Sequence, residues 1–185
     1  MARNYSTEQI QDDIGPCVVV YDSVVIGKTG TNPDGGTHGG VLVNYTVDGV
    51  DTMRDAEGGN PHDTIINQHV ANIEANFAGL SLEQIKKLMP NSAYATAGTG
   101  TSRKLQVKNP VGISMRTNAK PLIIKPINSG VVSTDPTEWI KFPLSFAIPK
   151  FAVPNDLKTQ RSYKVEFRVF TDLSTDVLYE WSYSD

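Results

Sequence analysis

Residues 163–170 read Tyr-Lys-Val-Glu-Phe-Arg-Val-Phe. Successive residues of a strand point to opposite faces of a sheet, so Tyr163, Val165, Phe167 and Val169 share one face and Lys164, Glu166 and Arg168 the other. The period of two predicts a half-buried strand. The same pattern recurs on either side. Ile140, Phe142, Leu144, Phe146 and Ile148 make a second apolar face within 138–148, and Val177, Tyr179, Trp181 and Tyr183 a third. Pro143 sits on the outer parity of its segment and cannot donate to a ladder, which marks that strand as an edge or places a bulge there.

Toward the N-terminus the strand signal continues through 122–127, 103–108 and 64–77. In the last of these, Ala71, Ile73, Ala75 and Phe77 face one way and Asn72, Glu74 and Asn76 the other. Residues 41–47 put Val41, Val43, Tyr45 and Val47 opposite Leu42, Asn44 and Thr46. In 17–26, valines on both parities predict a strand covered on both faces. Gly/Pro/Asn-rich stretches at 27–40 and 51–63 read as long polar loops, and small residues at 93–101 as another loop.

One helix is expected at about residues 81–89. Ser81 and Gln84 have capping-box spacing, Leu80 and Ile85 the staple positions, and Pro90 stops the helix. Leu82, Ile85, Leu88 and Met89 form its apolar stripe, with Glu83 in the first turn and Lys86 and Lys87 in the last. The expectation is a single all-β domain over 1–185, a two-sheet β-sandwich or barrel with one short flanking α-helix.

At 185 residues such a domain can bury about 70% of its unfolded surface. A net charge of -3 gives no global basic field for nucleic acid or an anionic membrane. The single cysteine, Cys17, excludes an internal disulfide and a multi-thiolate metal site, and its apolar setting predicts a buried, inert thiol. The polar, acidic start is not that of a signal peptide, and no window approaches the ~18 apolar residues of a membrane span.

Chemistry-bearing patterns are sparse. His38, His62 and His69 lack metal-ligand spacing, and His62-Asp63 has no nucleophile in a recognisable setting. The glycines at 35–40 and 98–100 lack the ending and following helix of a phosphate cradle. Arg103, Lys104 and Lys108 with Trp139 and Trp181 make a weak nucleic-acid platform, because Glu138 and Glu180 interrupt it. The expectation is no catalytic residue, no cofactor and no metal, with function carried by surface contact and not by a pocket.

Four stretches carry a family resemblance: GPCVVVYDSVVIGKT (15–29) followed by HGGVLVNYTV (38–47); DAEGGNPHDTIINQHVANIEANFAGLSLEQIKKLMP (55–90); VGISMRTNAKPLIIKPI (111–127); and FPLSFAIPKF (142–151) through YKVEFRVFTDLSTDVLYEWSYSD (163–185). In this order the chain resembles the tail tube (major tail) proteins of long-tailed bacteriophages. The resemblance covers nearly the whole chain as a succession of elements and short words. It implies a tail-tube type fold in a structural virion subunit that forms homohexameric rings. These stack into a tube through which genomic DNA passes without specific binding, alongside tape measure, terminator and baseplate or tip proteins. Assembly would occur in the host cytoplasm. A tail terminator, a baseplate hub and a secretion-system tube protein share that implied fold; a carbohydrate-binding sandwich would need Trp139, Trp181 and Tyr183 as an exposed platform.

Under that resemblance, Asn44, Thr46, Asp48, Asn72, Glu74 and Asn76 are expected to face the lumen. They share a polar parity without Lys or Arg, whereas 163–170 carries Lys164 and Arg168, and a DNA conduit must not hold phosphates. Met53, Arg54, Asp55 and Glu57 are the expected contact between rings.

Overall fold

A computed structural model of the protein describes residues 17–27, 37–53, 61–96, 103–109, 111–128, 130–152 and 162–181. Strands dominate: β1 (Cys17–Tyr21), β2 (Val24–Ile26), β3 (Thr37–Met53), β4 (Pro61–Phe77), β5 (Ser92–Thr96), β6 (Arg103–Val107), β7 (Lys120–Asn128), β8 (Val131–Val132), β9 (Ile140–Ala152), β10 (Ser162–Phe170) and β11 (Glu180–Trp181). The α-helix among the described residues, α1, spans Leu82–Leu88. The chain is mostly β with antiparallel pairing, as the alternation predicts.

The expected two sheets are instead arms of one. Hydrogen bonding runs without interruption along β2-β1-β7-β9-β10-β4-β3, with β8 on β7 and β11 on β9, while β5 and β6 form a separate hairpin. The long sheet is folded over so that both arms face one core. Val19, Tyr21, Leu122 and Ile124 from one arm join Ile73, Phe77, Val165 and Phe167 from the other in a single buried cluster. Tyr21 ties the arms together. Its ring lies 5.3 Å from that of Phe167, and its hydroxyl donates to the Ser145 carbonyl. Near the first residue of β3, Thr37 Oγ1 donates to the carbonyl of Cys17 in β1.

Strand β9 explains how one strand serves both arms. It pairs with β7 through Phe142 opposite Leu122 and Ser145 opposite Lys120, so β9 carries one more residue than β7 over that interval. Pro143 falls in this bulge, the second of its two expected settings; the strand is paired on both sides and is not an edge. The extra residue reverses the parity. Phe142 points into the core, and beyond the bulge Ser145 and Ala147 do so. The single apolar face expected over Ile140–Ile148 is therefore split, with Leu144, Phe146 and Ile148 turned to the opposite side. Buried Ser145 is satisfied, since its hydroxyl donates to the Lys120 carbonyl.

Cys17 is buried, and Val18 on the other parity is buried too, so the start of β1 is covered on both faces. Desolvation pushes the Cys17 thiol up to about 11 and the Tyr21 phenol up to about 12. The native state then keeps protons that the unfolded chain releases from pH 9.0 for the thiol and 10.0 for the phenol. Stability contributed by these groups is complete below pH ~9 and is lost as pH rises through their native values. The denaturation midpoint should fall across the alkaline range, and Cys17→Ala should make its first part shallower. An unchanged profile would count against the burial of the thiol.

The helix begins as its cap dictates. Ser81 Oγ accepts from Gln84 N at 3.2 Å and Ser81 N donates to Gln84 Oε1 at 2.8 Å. The apolar stripe is narrower than expected. Leu82 is exposed and Gln84 is buried, because Gln84 also donates from Nε2 to the Val25 carbonyl and so fastens α1 to β2. Leu88 enters the core, and Lys87 pairs with Asp22 at 2.5 Å. Ser81→Ala should cost about 1 kcal/mol, read as a lower midpoint in urea at unchanged slope.

Four loop and strand boundaries differ from expectation. Ser92–Thr96 is a strand, part of the 93–101 segment read as a loop, because its small residues pair with β6. Residues 177–181, the described part of the expected 177–183 strand, are not continuous strand: Val177 bridges Asp172, and β11 comprises Glu180 and Trp181. The 27–40 and 51–63 loops are shorter than read, since β3 begins at Thr37 and β3 and β4 reach Met53 and Pro61; residues 28–36 and 54–60 lie outside the described set.

Candidate functional site

Strands β3 and β4 are 17 residues each, longer than the body of the fold can cover. Near the body, Ala71, Ile73, Ala75 and Phe77 of β4 are buried between β3 and β10. Farther out, residues 42–51 and 63–69 are exposed throughout, on both faces. At 3.3 Å per residue, this two-stranded ribbon projects by about 30 Å.

Its register sorts the side chains. On the face continuous with the core, Val43, Tyr45 and Val47 of β3 lie opposite Ile73, Ala71 and His69 of β4. On the other face, Leu42, Asn44, Thr46 and Asp48 lie opposite Glu74, Asn72, Val70 and Gln68. Asp48 pairs with Gln68 and Gly49 with Ile66, leaving Asn67 as an extra residue in β4. The bulge turns Ile66 onto the face of Tyr45 and Val47, while Ile65 and Val50 face each other on the opposite side. A Cβ on Gly49, beside the bulge, would lie 2.7 Å from Thr64 Cγ2, so any larger residue there has to displace the Thr64 side chain.

Behind a polar end formed by Asp51, Thr52, Asp63 and Thr64, the ribbon is apolar where solvent would favour polar residues. Val50 is 56% exposed, Ile65 58% and Ile66 56%, with Leu42, Tyr45 and Val47 also exposed. Aromatic contacts line the ribbon root. Tyr45 makes edge contacts with His69 and Tyr179, and Tyr179 lies 6.0 Å from Phe142 in the core. The Tyr45 hydroxyl and His69 Nδ1 are 2.6 Å apart. Strand β3 also ends the pairing path, so among the described residues its outer edge meets no further strand.

The six residues Asn44, Thr46, Asp48, Asn72, Glu74 and Asn76 share one sheet face. The contrast with 163–170 does not hold in three dimensions. Lys164, Glu166 and Arg168 stand opposite Asn76, Glu74 and Asn72 on that same face, because β10 is the direct neighbour of β4. Lys150 of β9 extends it, opposite Lys164. The face is therefore mixed in charge and not free of cations. Two of its lysines are neutralised locally: Lys164 pairs with Glu74 and Lys150 with Glu166, each at 2.5 Å. The hydrogen bond to Glu74 raises the Lys164 ammonium above its ordinary range. Parity along one strand could not reveal this, since it says nothing of which strand lies alongside.

Of the expected ring contact, Met53 is the last residue of β3, opposite Pro61 at the ribbon tip; Arg54, Asp55 and Glu57 lie outside the described residues. The exposed Ile65, Ile66 and Val50 were missed in the sequence reading, although Ile65-Ile66 beside a bulge-forming Asn-Gln pair was the available signal.

Other candidates are not assembled into a site. One face of the Trp139 ring is taken by Lys125, whose Nζ lies 3.7 Å from its centroid, and the indole N–H donates to the Ser133 carbonyl. Trp181 stands exposed on β11, and Tyr183 is outside the described residues. A shallow cleft of about 140 Å³ lies between α1 and the body, with Asp22, Lys87, Pro90, Asn118 and Phe146 in its lining. Among the described residues no group of three His, Cys, Asp or Glu is placed to hold a metal ion, and no helix is long and apolar enough to cross a membrane. The chain matches no model of a known protein family and none of the curated proteins compared with it.

Proposed function

We propose that the chain is a structural subunit that assembles with copies of itself, using the β3–β4 ribbon as its principal contact. The carrying observation is the ribbon: a two-stranded hairpin is marginal in water, yet this one exposes large apolar side chains on both faces. Covering the remaining exposed part of each would add roughly 1 kcal/mol, and seven side chains (Leu42, Val43, Tyr45, Val47, Val50, Ile65 and Ile66) are available. Because they are divided between opposite faces, one neighbour cannot cover them all, and each ribbon sits between two neighbours. Where one face of a ribbon meets the opposite face of the next copy, the contact is heterologous and generates rings or open polymers.

Together with the resemblance in the order of its sequence stretches, this favours a tail-tube type subunit whose hexameric rings stack into a conduit for DNA. The face of Asn44, Thr46, Asp48, Asn72, Glu74 and Asn76 is our lumen assignment. Its lysines are tied to Glu74 and Glu166, which limits the counterion release that would make phosphates adhere. The contact between rings is assigned to the segment that follows Met53 at the ribbon end.

Negative-stain electron microscopy of the purified protein at rising concentration tests the reading. Hollow tubes of stacked rings are expected. Single rings would redirect it to a terminator or hub, and a monomer at every concentration would overturn self-assembly as the function of the isolated chain.

A further inference from the structure

Resting on the assembly reading, we infer that His69 makes formation of the polymer proton-sensitive, with assembly favoured at neutral pH and weakened in mild acid. His69 is the ionisable cation-forming side chain on the ribbon face that carries Val43, Tyr45, Val47 and Ile66. The titratable groups facing it are Tyr45, whose hydroxyl is 2.6 Å from Nδ1, and Tyr179 beyond Tyr45. Neither is a carboxylate. The nearest carboxylate on that face of the ribbon is Asp51, on the far side of Gly49, and it is occupied by the Thr64 hydroxyl at 2.7 Å. Phe142, the core residue behind Tyr179, supplies no charge.

Neutral imidazole with its proton on Nε2 accepts the Tyr45 hydroxyl at Nδ1. Protonation turns Nδ1 into a donor, so Tyr45 oxygen must accept and its own hydrogen needs another partner. In the free subunit, water supplies that partner and solvates the cation. Once a neighbouring copy covers this face, both the cation and the displaced hydroxyl are desolvated without compensation. The assembled form therefore binds fewer protons than the free subunit, and lowering the pH drives the equilibrium toward free subunits. Excluding one proton from the joint changes the critical concentration by up to roughly tenfold per pH unit on the acid side.

The test is the critical concentration for pelleting of the full chain, wild type and His69→Gln, at about pH 8 and about pH 5.5, a window dominated by histidine titration. Gln retains an acceptor for Tyr45 and carries no proton switch. The expected result is a rise of roughly tenfold in acid for wild type and less than about twofold for His69→Gln. His69→Asn, also uncharged, should behave as His69→Gln does. Wild type assembling equally at both values, or all three proteins weakening in parallel, overturns the role of His69 while leaving assembly standing. Failure of wild type to assemble at either value overturns the assembly reading and this inference with it.

Discussion

Ile65→Lys combined with Ile66→Lys should leave the subunit folded and abolish its assembly at concentrations where wild type polymerises. The two isoleucines are adjacent, more than half exposed, and on opposite faces of the ribbon, so the pair disables both neighbours at once. Each change removes an apolar contact and puts an ammonium into the joint, a loss of roughly 2 kcal/mol per face. Two faces give about 4 kcal/mol, a rise of roughly a thousandfold in critical concentration. The free subunit loses little, because neither side chain reaches the core and strand propensity spans only ~1 kcal/mol. Sedimentation velocity with a thermal melt separates the effects. Normal polymers would remove the ribbon from the interface, while a collapsed melting temperature would show that the tip supports the fold.

Phe167→Ala should be the most damaging single change to the fold itself. Phe167 is fully buried at the centre of β10, flanked by Ile73 on β4 and Ala147 on β9, and its ring meets Tyr21 from the opposite arm. Truncation leaves a cavity where the two arms of the sheet meet, at a cost of about 3–5 kcal/mol. For a chain of this size that lowers the melting temperature by roughly 6–20 °C. Glu166→Ala, one residue away on the solvent face, loses its ion pair with Lys150 and should cost well under 1 kcal/mol. Circular dichroism melts of the two variants give the comparison. Equal, small losses would mean that the arms are not packed through Phe167.

The long strands β3, β4, β7, β9 and β10, the inward set on β10 and β4, the helix with its cap, and burial of Cys17 were legible in the sequence, because each depends on local periodicity or on a hydrogen bond spanning three residues; β5 was not, since its small residues carry no alternation and its strand form comes from pairing with β6. Gln84 marks where that legibility ends. Its capping role follows from spacing, while its burial follows from the Val25 carbonyl, 59 positions away in the chain.

The remaining features required neighbours. A proline in a strand signals an edge or a bulge, and it was pairing with both β7 and β10 that decided for the bulge at Pro143 and reversed the parity beyond it. The polar faces of 70–77 and 163–170 each looked distinct along the chain; β10 lying directly against β4 merged them and placed Lys164 beside Glu74. Alternation in 41–47 predicts a half-buried strand wherever it occurs, since a period of two records which side chains share a face and not whether anything covers it. That Val47, Val50, Ile65 and Ile66 project past the body is a consequence of strand length against the size of the core, a tertiary property. The amino-acid sequence by itself determined the long strands, the helix cap and the inward residues of β4 and β10, through local sterics and periodicity. The tertiary structure alone decided which faces adjoin and which apolar residues are left exposed, because both depend on long-range pairing.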